Sequence, residues 1–486
     1  MSVNRGKDMS ISITEVETTL LQVIQLLLNY LQENQELGTK VVNYQRADVL
    51  KKKLDLSLSE KGVSLEDLIP VIQTYLEYST RTSSANFFNL LLAGFEPAGL
   101  LSEMVTSVTN TTMHTYEAAP VATLIEMAAI DALNSLVGFN QGEGLMVTGG
   151  SNANTIAMLV ARHKFLPDAK YTGLGGSRLV AFISDQAHYS FLKAANQLGI
   201  GMKNVVKVET DRYGCMIPEK LEDQIVQSVN DGKTPFFVGA TAGTTVLGGF
   251  DPLPSIAEIV RKYGLWLHVD AAWGCPVLFS SKHKHLLEGS GSADSFTWDA
   301  HKLMGVPLIC SAILVKQKGM LSDACSSGDT DYLFHDYENA DYDLGQMSLQ
   351  CGRKVDALKL WLSWKHRGKN GYEQRVERLF ELASYATEFV RNCEHLELLS
   401  QPQFLNICFR YTPDSPDQTS TAIDRINLAI RDQLLRSGQT LINYAHLQGR
   451  IAIRLILANP EIQSADLNRL FHNIITAGKA CERNDE

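Results

Sequence analysis

The tetrapeptide Asp299-Ala300-His301-Lys302 lies downstream of His268-Val269-Asp270-Ala271-Ala272. A lysine after a buried-looking strand, with an aspartate closing an earlier strand, is the pair that pyridoxal phosphate chemistry needs. The lysine holds the aldehyde as a Schiff base, and the aspartate keeps the ring nitrogen protonated so that the ring works as an electron sink. Asp270 ends a run too apolar to leave a carboxylate in water. A buried, ionised carboxylate needs a partner or takes up a proton, and a pyridinium nitrogen is one such partner. Lysine is among the residues least often buried. An apolar setting is expected to lower the Lys302 amine pKa and favour imine formation. Taken singly, Lys302 reads equally well as a structural lysine with its amine at the surface; order and company carry the reading.

That company is specific. Gly149-Gly150-Ser151-Asn152-Ala153-Asn154-Thr155 opens a helical pattern. Small residues there let backbone N–H groups approach an anion, and the helix dipole favours negative charge, which suits a phosphate. Alone, the same residues are simply a tight turn and an N-cap. His188 follows the apolar run Leu179 to Ile183, where an imidazole can stack on a flat cofactor. Thr241 ends another run, among small neighbours that let a ring lie close to the backbone. Gly173-Leu174-Gly175-Gly176 fits neither GxGxxG nor a P-loop and reads as a turn. His283-Lys284-His285 and the His268, Asp270 pair hint at metal, but no third ligand follows at sensible spacing, so metal ranks low.

These residues need a frame. Apolar runs Leu179 to Ile183, Val205 to Val208, Phe236 to Ala240, Leu265 to Val269 and Ala312 to Val315 read as strands. Helical patterns Ala153 to Phe165, Pro218 to Val229 and Pro254 to Tyr263 lie between several of them. Unbroken apolar strands alternating with helices predict an α/β fold with a mainly parallel sheet covered on both faces. Ligands then bind beyond the carboxyl ends of the strands. A helical segment is expected over 1–80, with starts at Thr14-Glu15-Val16-Glu17 and Ser64-Leu65-Glu66-Asp67. It serves packing against the body or a partner subunit. A large cofactor-binding domain is expected over 81–365. A smaller C-terminal α+β domain is expected over 366–486, with strands Phe404 to Phe409 and Ile451 to Leu457. Ser322 to Gln346 is irregular and rich in Asp, Ser and Gly, which predicts a lid or loop.

The bulk properties exclude some classes. With 486 residues the chain exceeds one small core. A net charge of -10 argues against nucleic acid as partner, because phosphate backbones need a basic face. Eight scattered cysteines without a CxxC pair read as reduced thiols. The polar first residues and the lack of a long apolar run lead to an expectation of a cytoplasmic protein without membrane partners.

Together these residues resemble the group II pyridoxal phosphate-dependent amino acid decarboxylases, of the aspartate aminotransferase fold type (fold type I). The chain is most similar to the branch holding glutamate and cysteine sulfinate decarboxylases. The resemblance runs from about residue 80 onward and rests on several segments: Asn86-Phe87-Phe88-Asn89, Thr115 to Pro120, Asp185 to Ser190, His268 to Ala272, the Lys302 segment, Tyr332-Leu333-Phe334 and Gln350-Cys351-Gly352-Arg353. It implies that Lys302 carries the cofactor, Asp270 pairs with the ring nitrogen, His188 stacks on one face and Ala272 lies under the other. It places Gly150, Ser151, Asn152 and His301 around the phosphate and Thr241 beside cofactor and substrate. Tyr332, on a mobile loop, is the implied proton donor after carbon dioxide leaves, and Arg454 the holder of a substrate carboxylate. A homodimer with shared active sites is implied as well.

The substrate pocket departs from the pattern. Ser84 and Ala85 stand where the branch has His-Pro, Leu90 where it has a carboxylate-binding glutamine, and Thr112 and His114 at the pair that separates glutamate from sulfinate enzymes. Asp299 replaces an asparagine, and an acid near a phosphate is repelled unless it turns away. His114 is one candidate for the missing contact; protonated, it adds a positive charge, so activity on acidic substrates is expected to fall as it deprotonates. The implied reaction is α-decarboxylation of glutamate, aspartate or cysteine sulfinate. Alternatives are an aromatic or diamino acid as substrate, or cofactor binding without turnover.

Overall fold

The computed structural model describes residues 12–58, 60–328, 332–414 and 418–485. The chain divides into two compact units, one within 1–89, 411–453 and 461–486, the other comprising 90–410 and 454–460. This partition cuts the chain differently from the expected three parts. The helical stretch Ala357–Asn392, broken only at Gly368, runs through position 365 inside the second unit.

The second unit is built on seven strands: β1 (Glu143–Val147), β2 (Leu179–Ser184), β3 (Val205–Val208), β4 (Thr234–Thr241), β5 (Trp266–Asp270), β6 (Ser295–Asp299) and β7 (Ser311–Val315). Their order is β3-β2-β4-β5-β6-β7-β1. Pairs β2–β3, β2–β4, β4–β5 and β5–β6 are parallel, whereas β7 runs antiparallel to both β6 and β1. All five expected strands of this sheet form. β1 and β6 are additions, and β6, Ser-Phe-Thr-Trp-Asp, is fully buried despite its polar residues. Helices Gly150–Phe165, Pro218–Asn230 and Leu253–Tyr263 match the expected patterns within a few residues. Nine of the sixteen residues of the first are buried. Its Ala153, Ile156, Ala157 and Val160 pack with Ile183, Phe237 and Ile313 of the sheet, which fixes its N-terminus over the strand ends.

In the first unit, helix Ile13–Glu33 begins earlier than expected, because Ser12 rather than Thr14 caps it and accepts from the Glu15 amide at 3.1 Å. None of its residues is buried. Arg81 ties it down by an ion pair to Glu33 at 2.7 Å and by stacking on Tyr30. Ser64 and Asp67 form the expected reciprocal cap. Strand Phe87–Phe88 pairs in parallel with Leu441–Leu447.

Helix Pro120–Val137 is, contrary to expectation, long and apolar enough to cross a membrane by length and composition. It carries a buried charge, however: Glu126 pairs with Arg353 at 2.7 Å, the two side chains 1% and 4% exposed. Arg353 also donates to the carbonyls of Met113 and Met146, and Glu126 accepts the Met146 amide. Removing one partner strands the other charge in the core. Arg353→Met is therefore expected to lower unfolding stability by about 3–5 kcal/mol, measured by chemical denaturation; an unchanged midpoint would show that the pair does not hold helix and sheet together.

Candidate active site

Thr241, Asp270 and Asp299 end β4, β5 and β6, three neighbouring strands that run in one direction. Their carboxyl ends therefore open into one cavity of about 330 Å³, lined also by Gly150, Ser151, His188, Thr245, Ala272, His301 and Lys302. The geometry brings together the expected nucleophile, acid, stacking residue and helix N-terminus. Asn152, Thr112, His114, Leu90, Tyr332 and Arg454 are not among the lining residues.

Asp270 is 5% exposed. Its carboxylate accepts from the Ala272 amide at 3.1 Å and from the Asn154 side-chain amide at 2.8 Å. Both bonds stabilise the ionised form. Asn154 has no role of its own in the sequence-based reading; within the Gly149 to Thr155 segment that opens the helix, it looks like any helix residue. His188 sits beside Asp270, its ring 4.2 Å from that of Tyr189, and its Nδ1 accepts the Ser190 amide at 3.3 Å. Burial pushes its pKa down, with Asp270 opposing and Lys302 assisting, so the ring is neutral near pH 7.

Lys302 differs from expectation. Burial would lower its amine pKa, but the Asp299 and Asp270 carboxylates outweigh burial and hold it above the ordinary lysine range. Asp299 is the nearer, 3.1 Å from Nζ. Asp299 does not turn away from the site. It is 2% exposed, accepts from Ser311 Oγ at 2.6 Å and lies 3.7 Å from His301 Nε2. It also abuts the start of helix Gly150–Phe165: a Cβ on Gly150 would lie 2.7 Å from Asp299 Oδ2. The cation of Lys302 and the positive end of the helix thus accommodate the charge that an asparagine would not carry. His301 is buried, its Nδ1 3.1 Å from the Cys310 carbonyl, and burial lowers its pKa despite Asp299.

These residues fit pyridoxal phosphate. The Thr241 hydroxyl is buried with no partner among the described residues, a polar atom left for a ligand, while its backbone amide is held by Asp251 at 2.7 Å. Gly149, at φ +111°, turns the chain into the helix, and only a glycine at 150 keeps the backbone close to the cavity. Asp270 is an acceptor-only carboxylate, and Lys302 is an amine within the same cavity. Apart from the helix start, sequence spacing offered no sign of Asn154, Ser311 or Tyr189.

The substrate candidates lie elsewhere. Thr112 Oγ1 accepts the Arg353 amide at 3.1 Å, and His114 Nδ1 is 3.4 Å from that hydroxyl. The His114 carbonyl accepts the Gly345 amide at 2.9 Å, and Asp343 binds the Tyr116 amide at 2.7 Å. The latter part of the irregular segment is thus docked on residues 114–116 rather than loose, whereas Tyr332 is 79% exposed; residues 329–331 lie outside those described. Leu90 is 43% exposed. Arg454 is 8% exposed and donates to the carbonyl of Thr245, a residue of the cavity wall, at 3.1 Å.

Only the neutral amine attacks an aldehyde, and the Lys302 pKa is raised. Attachment of pyridoxal phosphate to the cofactor-free protein, trapped with borohydride, is therefore expected to accelerate about tenfold per pH unit between about pH 7 and 9. Asp299→Asn removes the strongest raising influence and is expected to speed attachment at pH 7. A rate that levels off below pH 9 would contradict the ion pair.

Residues 47–412 match the pyridoxal-dependent decarboxylase conserved domain. The chain is 39% identical over 454 residues to the acidic amino acid decarboxylase GADL1 of Mus musculus, covering 91% of this chain and 82% of that protein. It is also 39% identical over 451 residues to the cysteine sulfinic acid decarboxylase of Mus musculus, covering 90% and 91%. The crystal structure of mouse CSAD superposes with a TM-score of 0.93 at 37% identity, covering 96% of this chain and 99% of that one. The crystal structure of Oryza sativa TDC with PLP and tryptamine superposes with a TM-score of 0.90 at 21% identity, covering 98% of this chain and 100% of that one, and shows the shared fold alone. Fold, cavity and sequence agree: this chain belongs to the pyridoxal-dependent decarboxylase family and is a carboxy-lyase that uses pyridoxal phosphate.

Proposed function

We propose that the enzyme removes the α-carboxylate of a small acidic L-amino acid, glutamate, aspartate or cysteine sulfinate, releasing carbon dioxide and the amine. The observation that carries this reading is the 39% identity, over about nine-tenths of the chain, with relatives named for acidic substrates. Arg454 supplies the chemistry. A guanidinium stays charged even where burial lowers its pKa, as here, and its fork suits a carboxylate or sulfinate.

The roles assigned follow from chemistry. Bound pyridoxal phosphate supplies an electron sink for the pair left on Cα. Lys302 would anchor it, and Asp270 would accept from its ring nitrogen. His188 would stack on one face without adding charge, and Ala272 would lie under the other. The amides at Gly150 and Ser151, with His301 and with Asn152 next in the same turn, would hold the phosphate, and the Thr241 hydroxyl would be the donor left for the ligand. With the cofactor bound, the cavity walls would serve to orient the scissile Cα–carboxylate bond. Tyr332 would return the proton to Cα, with its phenol brought to a cavity from which water is excluded.

We infer a homodimer whose second subunit completes the site with Leu90, Thr112 and His114. Support comes from the uncovered apolar side of helix Ile13–Glu33, where Leu20, Leu21 and Leu28 are about half exposed. A cytoplasmic setting accords with eight cysteines that form no disulfide among the described residues, and the ion-paired Pro120–Val137 helix is read as a core helix rather than a membrane span. An aromatic or diamino substrate is the second reading, favoured by Leu90, which cannot hydrogen-bond to an acid.

A carbon dioxide release screen over the standard amino acids and cysteine sulfinate decides. Acidic substrates are expected to dominate, and Arg454→Met is expected to lower kcat/KM on them roughly 30-fold or more. Release from aromatic or basic amino acids alone would replace this reading. Cofactor attachment without release from any substrate would reduce it to cofactor binding.

A further inference from the structure

Behind Asp270 lies a run of buried side chains with a single consistent hydrogen-bond direction. Trp266 Nε1 is a donor only, and it meets Ser295 Oγ at 2.8 Å. Ser295 Oγ in turn lies 2.8 Å from His268 Nδ1. His268 Nε2 lies 3.0 Å from Asn154 Oδ1, which also accepts from Thr297 Oγ1 at 2.8 Å. Asn154 Nδ2 donates to Asp270 Oδ2 at 2.8 Å and to Ser190 Oγ at 2.9 Å. Asn154, His268, Ser295 and Thr297 are each 1% exposed or less.

Two facts fix the direction of every proton. A carboxylate only accepts, so the Asn154 nitrogen faces Asp270 and its oxygen faces His268. An amide oxygen only accepts, so His268 carries its proton on Nε2. Its Nδ1 is then an acceptor, and Ser295 points its hydroxyl proton there. Burial holds the His268 pKa down at about 4, in keeping with a neutral ring. The chain thus reads Trp266 to Ser295 to His268 to Asn154 to Asp270, each group donating to the next. Dipoles aligned in one sense reinforce one another and favour negative charge at the end they point to.

We propose that Asn154 is the positioning residue through which this aligned chain holds Asp270 as an ionised acceptor for the cofactor's ring nitrogen. The inference rests on the reading of Asp270 as that nitrogen's partner, and the experiment separates the two. The cofactor-free protein is titrated with pyridoxal phosphate and with its analogue carrying C–H in place of the ring nitrogen. Wild type is expected to prefer the natural cofactor roughly tenfold or more, as for a hydrogen bond to a charged group. Asn154→Ala is expected to reduce that preference to roughly threefold or less. Ser295→Ala removes only the hydroxyl that donates to His268 Nδ1; it is expected to give an intermediate preference and decides the matter if Asn154→Ala does not fold. Equal weakening of both ligands in the folded variants, leaving the preference intact, would overturn the proposal, because that is the signature of a merely structural role. Absence of preference in wild type would overturn the Asp270 reading itself, and this inference with it.

Discussion

A carboxylate buried at the end of a central strand is the constraint around which this site is organised. Asp270 is 5% exposed, and removing an ionised carboxylate from water is costly unless donors replace the lost hydration. The chain supplies two, the Ala272 amide and the Asn154 side chain. The first requires the tight turn after β5. The second requires helix Gly150–Phe165 to lie across the sheet so that Asn154 reaches strands β5 and β6. The same docking sets the helix N-terminus over the cavity, so one packing arrangement positions both the acid and the phosphate cradle.

The opposite wall solves a second charge problem. Asp299 brings another buried carboxylate, neutralised by Lys302 at 3.1 Å and held by Ser311 at 2.6 Å. The consequence is an amine with a raised rather than lowered pKa. The site is therefore a balanced set: two carboxylates on strand ends, one ammonium, one helix dipole and two histidines kept neutral by burial. A pyridinium and a phosphate bring one positive and one negative group into that set, each next to its complement.

Much of this was legible from residue order. Lys302, Asp270 and His188 carry side chains whose chemistry is narrow, and they stand at the ends of apolar runs, where a parallel sheet presents its ligands. The five recognised strands were apolar apart from Lys207 and His268. β6 escaped recognition because Ser295 and Thr297 look like loop residues; in the fold their hydroxyls bond Trp266, His268 and Asn154, contacts that span more than a hundred positions in the case of Asn154 and Thr297. The Lys302 pKa was read with the wrong sign because the apolar neighbours in sequence are visible, whereas the carboxylate within reach of the amine is a matter of three-dimensional placement. Thr112 and His114 stand apart from the cavity because bonds to Arg353 and the 343–345 segment, not sequence adjacency, decide where they face, and Leu90 is 43% exposed.

The account turns on the charge state that Asp270 imposes across the cavity. The most direct measurement is the ¹⁵N chemical shift of pyridoxal phosphate labelled at the ring nitrogen and bound to the protein. A protonated pyridine nitrogen at neutral pH, lost on Asp270→Asn, is the predicted result. An unprotonated nitrogen in the wild-type protein would contradict it.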